Sequence, residues 1–148
     1  MAESQPLMAG KRGIVMGVAN DRSIAWGIAR VLAAHGAEVA FSYQAPQLER
    51  RVRPLAESIG ASLLFECDAG SDESLDNMFT EIGKHWDSID FVVHAIAFSD
   101  RSELTGKYVN TSRANFQFTL DVSCYTLTAV CQRAMEHMPN GGSIITLT

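Results

Sequence analysis

The chain has 148 residues and a net charge of −5, with 47% hydrophobic and 20% charged side chains, the balance of a single globular domain with a buried core. Acidic and basic residues are interspersed, which excludes a broad nucleic-acid surface, and no run reaches the roughly 18 apolar residues of a membrane span. Three cysteines without a CxxC pair and four scattered histidines argue against a disulfide framework and against a metal site, and point to reduced thiols in the cytoplasm.

Met1 to Gly10 carry little pattern and are expected to form a loose arm before one domain, residues 11–148. There is no apolar signal-peptide core. Gly13-Ile14-Val15-Met16 reads as a short buried strand. Gly17-Val18-Ala19-Asn20-Asp21-Arg22-Ser23-Ile24-Ala25-Trp26-Gly27 follows and leads into Ile24, Ile28, Val31 and Leu32, apolar at helical spacing. Strand, glycine turn and helix together are the context of a nucleotide site. Gly17 is expected to let the backbone turn. Ser23 sits where an N-cap belongs, the first free N–H groups near Ile24 would face a pyrophosphate, and Gly27 would let helix and strand pack closely. The turn is Gly, five residues, Ser, three residues, Gly, rather than G-x-G-x-x-G. An ordinary serine-capped loop reads the same residues.

Gly36 is expected to end this helix. Ala37–Tyr43 is the second strand, and Pro46 opens a helix with a stripe of Leu48, Val52, Leu55 and Ile59, closed by Gly60. Arg50, Arg51 and Arg53 lie on its solvated face, beside Glu49 and Glu57. Ser62–Cys67 is the third strand. Ser71 caps a helix that buries Leu75, Met78, Phe79, Ile82 and Trp86. Ile89–Ile96 is the fourth strand, 98–110 a long polar loop, and 112–137 one long helix with Phe116, Leu120, Leu127, Val130, Ala134 and Met138 near one another in register. Ser143–Thr148 is the fifth strand. This alternation predicts an α/β, doubly wound, Rossmann-like parallel sheet in the order 3-2-1-4-5.

The winding reverses between strands 1 and 4, and ligands bind beyond the carboxyl ends of strands at such a reversal. Gln44 ends strand 2. It can bond a ribose hydroxyl and brings no positive charge for a 2′-phosphate, which favours NADH over NADPH; Arg50 or Arg51 folded back would supply that charge, and an exposed loop glutamine is the plain alternative. Asp68 ends strand 3, where its carboxylate can accept from an adenine amino group beside Ala69, or simply begin the turn before Ser71. Ala95-Ile96-Ala97 are small or apolar enough for a dinucleotide to lie against, or for packing alone.

With Gly17 to Gly27, Tyr43-Gln44, Cys67-Asp68-Ala69 and His94-Ala95-Ile96-Ala97-Phe98 in place, the chain resembles the N-terminal part of the bacterial enoyl-acyl carrier protein reductases of the short-chain dehydrogenase/reductase superfamily. The likeness runs from about Gly10 to the end and includes Tyr108-Val109-Asn110 and Ile145-Thr146-Leu147-Thr148. It implies a homotetramer of fatty-acid synthesis that reduces a trans-2-enoyl thioester on acyl carrier protein with hydride from NADH or NADPH. It implies that Gly17, Ser23 and Ile24 meet the pyrophosphate, Gln44 the adenosine ribose, Asp68 and Ala69 the adenine, and Ile96 the nicotinamide half. Ser99 falls near the substrate, at a position where the family usually has a small apolar residue.

The family's chemistry rests on a tyrosine followed several residues later by a lysine. None of Tyr43, Tyr108 and Tyr125 has a lysine four residues on, so no catalytic residue is assigned. The chain is expected to be truncated relative to the family, to carry its cofactor half, and to be inactive alone. A ketoacyl reductase of the same superfamily would also need the Tyr-x-x-x-Lys, and His94–Ala97 speaks against it. A non-catalytic dinucleotide-binding module would close on a polar edge, whereas the last strand carries Ile144, Ile145 and Leu147.

Overall fold

The computed structural model describes residues 6–147; residues 1–5 of the expected arm, and Thr148 of the expected last strand, lie outside the described residues. Residues 6–10 form a turn whose Met8 N–H donates to the His35 carbonyl at 2.9 Å.

Five strands carry the architecture: β1 (Arg12–Met16), β2 (Glu38–Tyr43), β3 (Leu64–Glu66), β4 (Phe91–His94) and β5 (Ser143–Thr146). They form one parallel sheet in the order β3-β2-β1-β4-β5, as the alternation of elements requires. Their side chains alternate between two cores. Ile14, Met16, Ala40, Phe65 and Val92 face one way, with Leu75, Met78, Phe79, Ile82 and Trp86. Val15, Val39, Phe41, Phe91 and Val93 face the other, with Ala25, Trp26, Ala29, Val52 and Ala56. The central strands are buried on both faces, which is why their sequences read as apolar runs rather than as alternation.

Helices α1 (Ile24–Ala34) and α2 (Pro46–Ser58) cover the second core. Gly36 and Gly60, with φ of +92° and +76°, follow them in the left-handed conformation that ends a helix. Helix α1 is rotated relative to the expected stripe. Ala25, Trp26 and Ala29 are buried and Ile28 and Leu32 of that stripe pack beside them, whereas Ile24 is 70% and Val31 59% exposed. Two alanines allow close approach to the sheet, and Trp26 fills the space beside them, its ring centroid 6.2 Å from that of Phe41. Gly27 consequently faces outward. A Cβ there would meet nothing within 4 Å, so it is not the close-packing glycine its position predicts.

Helix α3 (Asp72–His85) buries four of the five residues expected of it, with Trp86 buried just past its end, and is capped by Ser71, whose hydroxyl accepts from Ser74 N–H at 3.3 Å. The long final helix is not uniform. It is α4 (Arg113–Leu120), a π-turn over Asp121–Tyr125, and α5 (Thr126–Ala134), ending in a short 3-10 turn. The π-turn shifts the register, so Val130 and Ala134 are buried while Phe116 and Leu120 are exposed. The strands are shorter than predicted at β3 and β4, where the chain leaves the sheet to form the loops of the site.

Candidate functional site

The carboxyl ends of β1, β2, β3 and β4 open onto one crevice. Gly17, Gln44, Asp68, Ala69 and Ile96 line it together, as their placement at strand ends predicts. Val18, Ala19 and Phe98 from the stretches around them also line it, as do Leu48, Phe118 and Val122, which the sequence did not single out for it. Phe118 and Val122 come from the long helix, and no local pattern marks them.

Gly17 is required by geometry. Its φ is +97°, and a Cβ would stand 1.9 Å from the Ala95 carbonyl oxygen. The turn after β1 is thus pressed against the end of β4 at the point where the winding reverses. Ser23 works differently from an N-cap. Its Oγ accepts from Ala19 N–H at 3.0 Å and Asn20 N–H at 3.1 Å, folding the glycine turn back on the helix start, and it makes no bond to the first turn of α1. Both acceptor positions are used, which leaves the hydroxyl hydrogen free to donate. No side chain caps the first N–H groups of α1, beginning at Ile24. A donor hydroxyl beside uncapped helix N–H groups is suited to an anion.

Asp68 begins the turn and also stands at the crevice. Its Oδ1 accepts from Gly70 N–H at 3.1 Å and its carbonyl from Ser71 N–H at 3.0 Å, so it does begin the turn. Its side chain also borders the crevice, with Oδ2 outside that bond. Cys67 lies in the crevice wall, but burial pushes its thiol up to about 11, which leaves it a neutral packing group at physiological pH. Gln44 is exposed at the rim, one residue beyond β2.

Ser99 stands apart. Its Oγ accepts from Asn115 Nδ2 at 3.1 Å and from the Thr119 hydroxyl at 3.0 Å, and it borders a separate hollow between the 99–111 segment and α4. The resemblance places it near substrate; its two partners on α4 turn its hydroxyl toward this hollow.

The far end of the crevice is held by the π-turn. Ser123 Oγ accepts from Phe98 N–H at 3.1 Å and donates to Phe98 O at 3.3 Å. The Phe98 and Phe118 rings meet edge to face, with centroids 5.4 Å apart. No group of three or more potential metal ligands occurs among the described residues, and no described helix is long and apolar enough to cross a membrane.

The family model described as enoyl-(acyl carrier protein) reductase matches residues 17–148. The chain belongs to this family. Among reductases of this kind it is similar to enoyl-[acyl-carrier-protein] reductase [NADH] 1 of Rhizobium meliloti, with 54% identity over all of this chain and 54% of that protein. It is 47% identical to the NADH reductase FabI of Rickettsia bellii, over 96% of this chain and 54% of the relative. A crystal structure of the reductase from Anaplasma phagocytophilum in complex with NAD superposes with a TM-score of 0.92 at 52% identity, covering 95% of this chain and 54% of that one. The Bacillus cereus reductase, solved with NADP+ and an indole naphthyridinone, gives 0.93 at 46% identity, over 96% and 56%. The chain therefore spans about half the length of the relatives it matches.

Proposed function

We propose that the crevice binds NADH and that the chain contributes the cofactor-binding half of an enoyl-acyl carrier protein reductase. The observation that carries this reading is the convergence of Gly17, Gln44, Asp68, Ala69 and Ile96 on one crevice at the winding reversal, in a chain of this family. The cradle fits a dinucleotide: Gly17 brings its turn against the end of β4 with no side chain between, Ser23 has a hydroxyl hydrogen to give, and the first N–H groups of α1 are uncapped.

In this reading Gly17, Ser23 and Ile24 hold the pyrophosphate. Gln44 holds the adenosine ribose, Asp68 and Ala69 the adenine, and Ile96 the nicotinamide half, with Phe98 and Phe118 beside that end. Ser99, turned toward α4, acts on substrate only through its backbone. NADH held there would supply hydride for a trans-2-enoyl thioester carried on acyl carrier protein. A phenol to stabilise the enolate oxygen that develops, and a lysine to support it, are not offered by Tyr43, Tyr108 or Tyr125 in the spacing the chemistry needs. These 148 residues are therefore expected to bind cofactor without turning over substrate.

Gln44 gives the rim no cation for a 2′-phosphate, so NADH is preferred to NADPH. We place the protein in the cytoplasm, in keeping with its three free cysteines among the described residues. We also infer a homotetramer, supported by the exposed Phe116, Leu120, Tyr125 and Met135 along the α4–α5 rod. Titration of the chain with NADH and NADPH tests the reading. Saturable binding with NADH the tighter is expected; tighter NADPH, or no binding by folded chain, would overturn it.

A further inference from the structure

His94 is the last residue of β4, and its side chain is 0% exposed. Thr126, the first residue of α5, is 1% exposed and sends its hydroxyl hydrogen to the Val122 carbonyl at 2.7 Å. Its oxygen therefore accepts from His94 Nε2–H, at 2.8 Å. That fixes the tautomer, and Nδ1 accepts in turn from the hydroxyl of Thr146, its register partner on β5, at 3.0 Å. One buried imidazole thus joins two strands to the junction of the π-turn and α5.

The junction needs such a partner. Thr126 N–H reaches back five residues to the Asp121 carbonyl, so it does not meet Val122 O as it would in an α-helix. The Thr126 hydroxyl meets that carbonyl instead, and His94 holds the hydroxyl. The turn so fixed presents Val122 to the crevice and Ser123 to both backbone polar groups of Phe98. π-Turns recur at functional positions because the extra residue re-aims side chains that a regular helix would point elsewhere.

We propose that His94 is a positioning residue for the Ile96–Phe98 end of the crevice: through Thr126 it sets the π-turn whose Ser123 and Val122 brace the strip on which the nicotinamide lies. The inference rests on the NADH reading above. His94 touches no cofactor and moves no proton; it acts only by holding the turn. The Gln44–Asp68 end does not depend on it, since that end is built from β2, β3 and their own turns.

Binding of NADH is compared with binding of ADP-ribose, which has the adenosine, pyrophosphate and second ribose but no nicotinamide, in wild type, Thr126→Val and Thr126→Ser, each with its melting temperature. Thr126→Val keeps the shape and removes the hydroxyl. It should weaken NADH about tenfold, the equivalent of one hydrogen bond, and leave ADP-ribose within about twofold. Thr126→Ser should restore NADH. Ser123→Ala, at the half-buried end of the same relay, should show the same selective loss if Thr126→Val does not fold. Equal weakening of both ligands, or of neither, would overturn the positioning role while leaving the NADH site intact. Failure of the folded wild type to bind NADH would overturn both.

Discussion

The two ends of the crevice are held by different kinds of contact. At the Gln44–Asp68 end the side-chain bonds are local, beside one backbone bond from Cys67 N–H to Tyr43 O: Asp68 to Gly70 and Ser71, Ser74 back to the Asp68 N–H at 2.9 Å, and Ser23 to Ala19 and Asn20. At the Ile96–Phe98 end the bonds reach across the chain, from Phe98 to Ser123, from His94 to Thr126 and from His94 to Thr146. Local turns fold with their own strands and tolerate change elsewhere. Long-range clamps tie the site to the packing of α5 and β5, so a fault there loosens one end of the site and spares the other. Gly17 belongs to both, because its turn rests on the Ala95 carbonyl.

That shared point should give the largest effect. Gly17→Ala combines a φ of +97° with a Cβ placed 1.9 Å from Ala95 O, and relief requires β1 and β4 to part. A loss of ~3 kcal/mol in urea unfolding is expected, with cofactor binding lost as well. A variant of wild-type stability would show that the turn is not pressed on β4. Asp68→Ala sharpens the contrast at the local end. It removes the acceptor of Gly70 N–H at an exposed turn, so about 1 kcal/mol of stability should go. ADP-ribose and NADH should weaken together, by about tenfold. Selective loss of NADH alone would contradict the assignment of the two ends.

The long-range end carries a pH signature. Burial holds the His94 imidazole below its ordinary value near 6.5, offset in part by a backbone hydrogen bond. The unfolded chain takes up that proton near pH 6.5, while the folded chain stays neutral to lower pH. The stability tied to neutral His94 is therefore complete above about pH 6.5 and is lost as the pH falls through the folded value. Urea midpoints followed from pH 7.5 downward should decline in this window for wild type and less steeply for His94→Gln. Identical slopes would contradict a buried neutral imidazole. The smallest effect is expected at Gly27, where the outward face has room: Gly27→Ala should stabilise by about 0.5–1 kcal/mol and leave cofactor binding unchanged. A destabilised variant would restore the close-packing role that its position in the motif predicts.

The local end is also the legible one. Periodicity and turn residues place Gly17, Gln44, Asp68 and Ala69 at strand ends, and the strand order then brings them together. The burial of α3 and the endings at Gly36 and Gly60 follow from the same short-range patterns. The rotation of α1 does not, because Ile24 and Val31 satisfy helical spacing as well as Ala25 and Ala29 do. Close approach to the sheet, a tertiary condition, selects the alanines. Ser23 has the composition of an N-cap, and only the path of the glycine turn shows its hydroxyl turned back to Ala19 and Asn20. The π-turn, and with it Val122, Ser123 and the burial of His94, depends on one extra residue in a helix. An apolar periodicity of 3.6 does not register it. The hollow that Ser99 borders is illegible for the same reason, since its partners lie on α4, 16 and 20 residues away.

The most direct test is calorimetric titration of the 148-residue chain with NADH, alongside a urea transition showing that it is cooperatively folded. One saturable site per chain is expected, weakened by Asp68→Ala and competed by ADP-ribose. A cooperatively folded chain that takes up no NADH, or whose binding ignores Asp68 and ADP-ribose, would contradict the assignment of this crevice as the cofactor site.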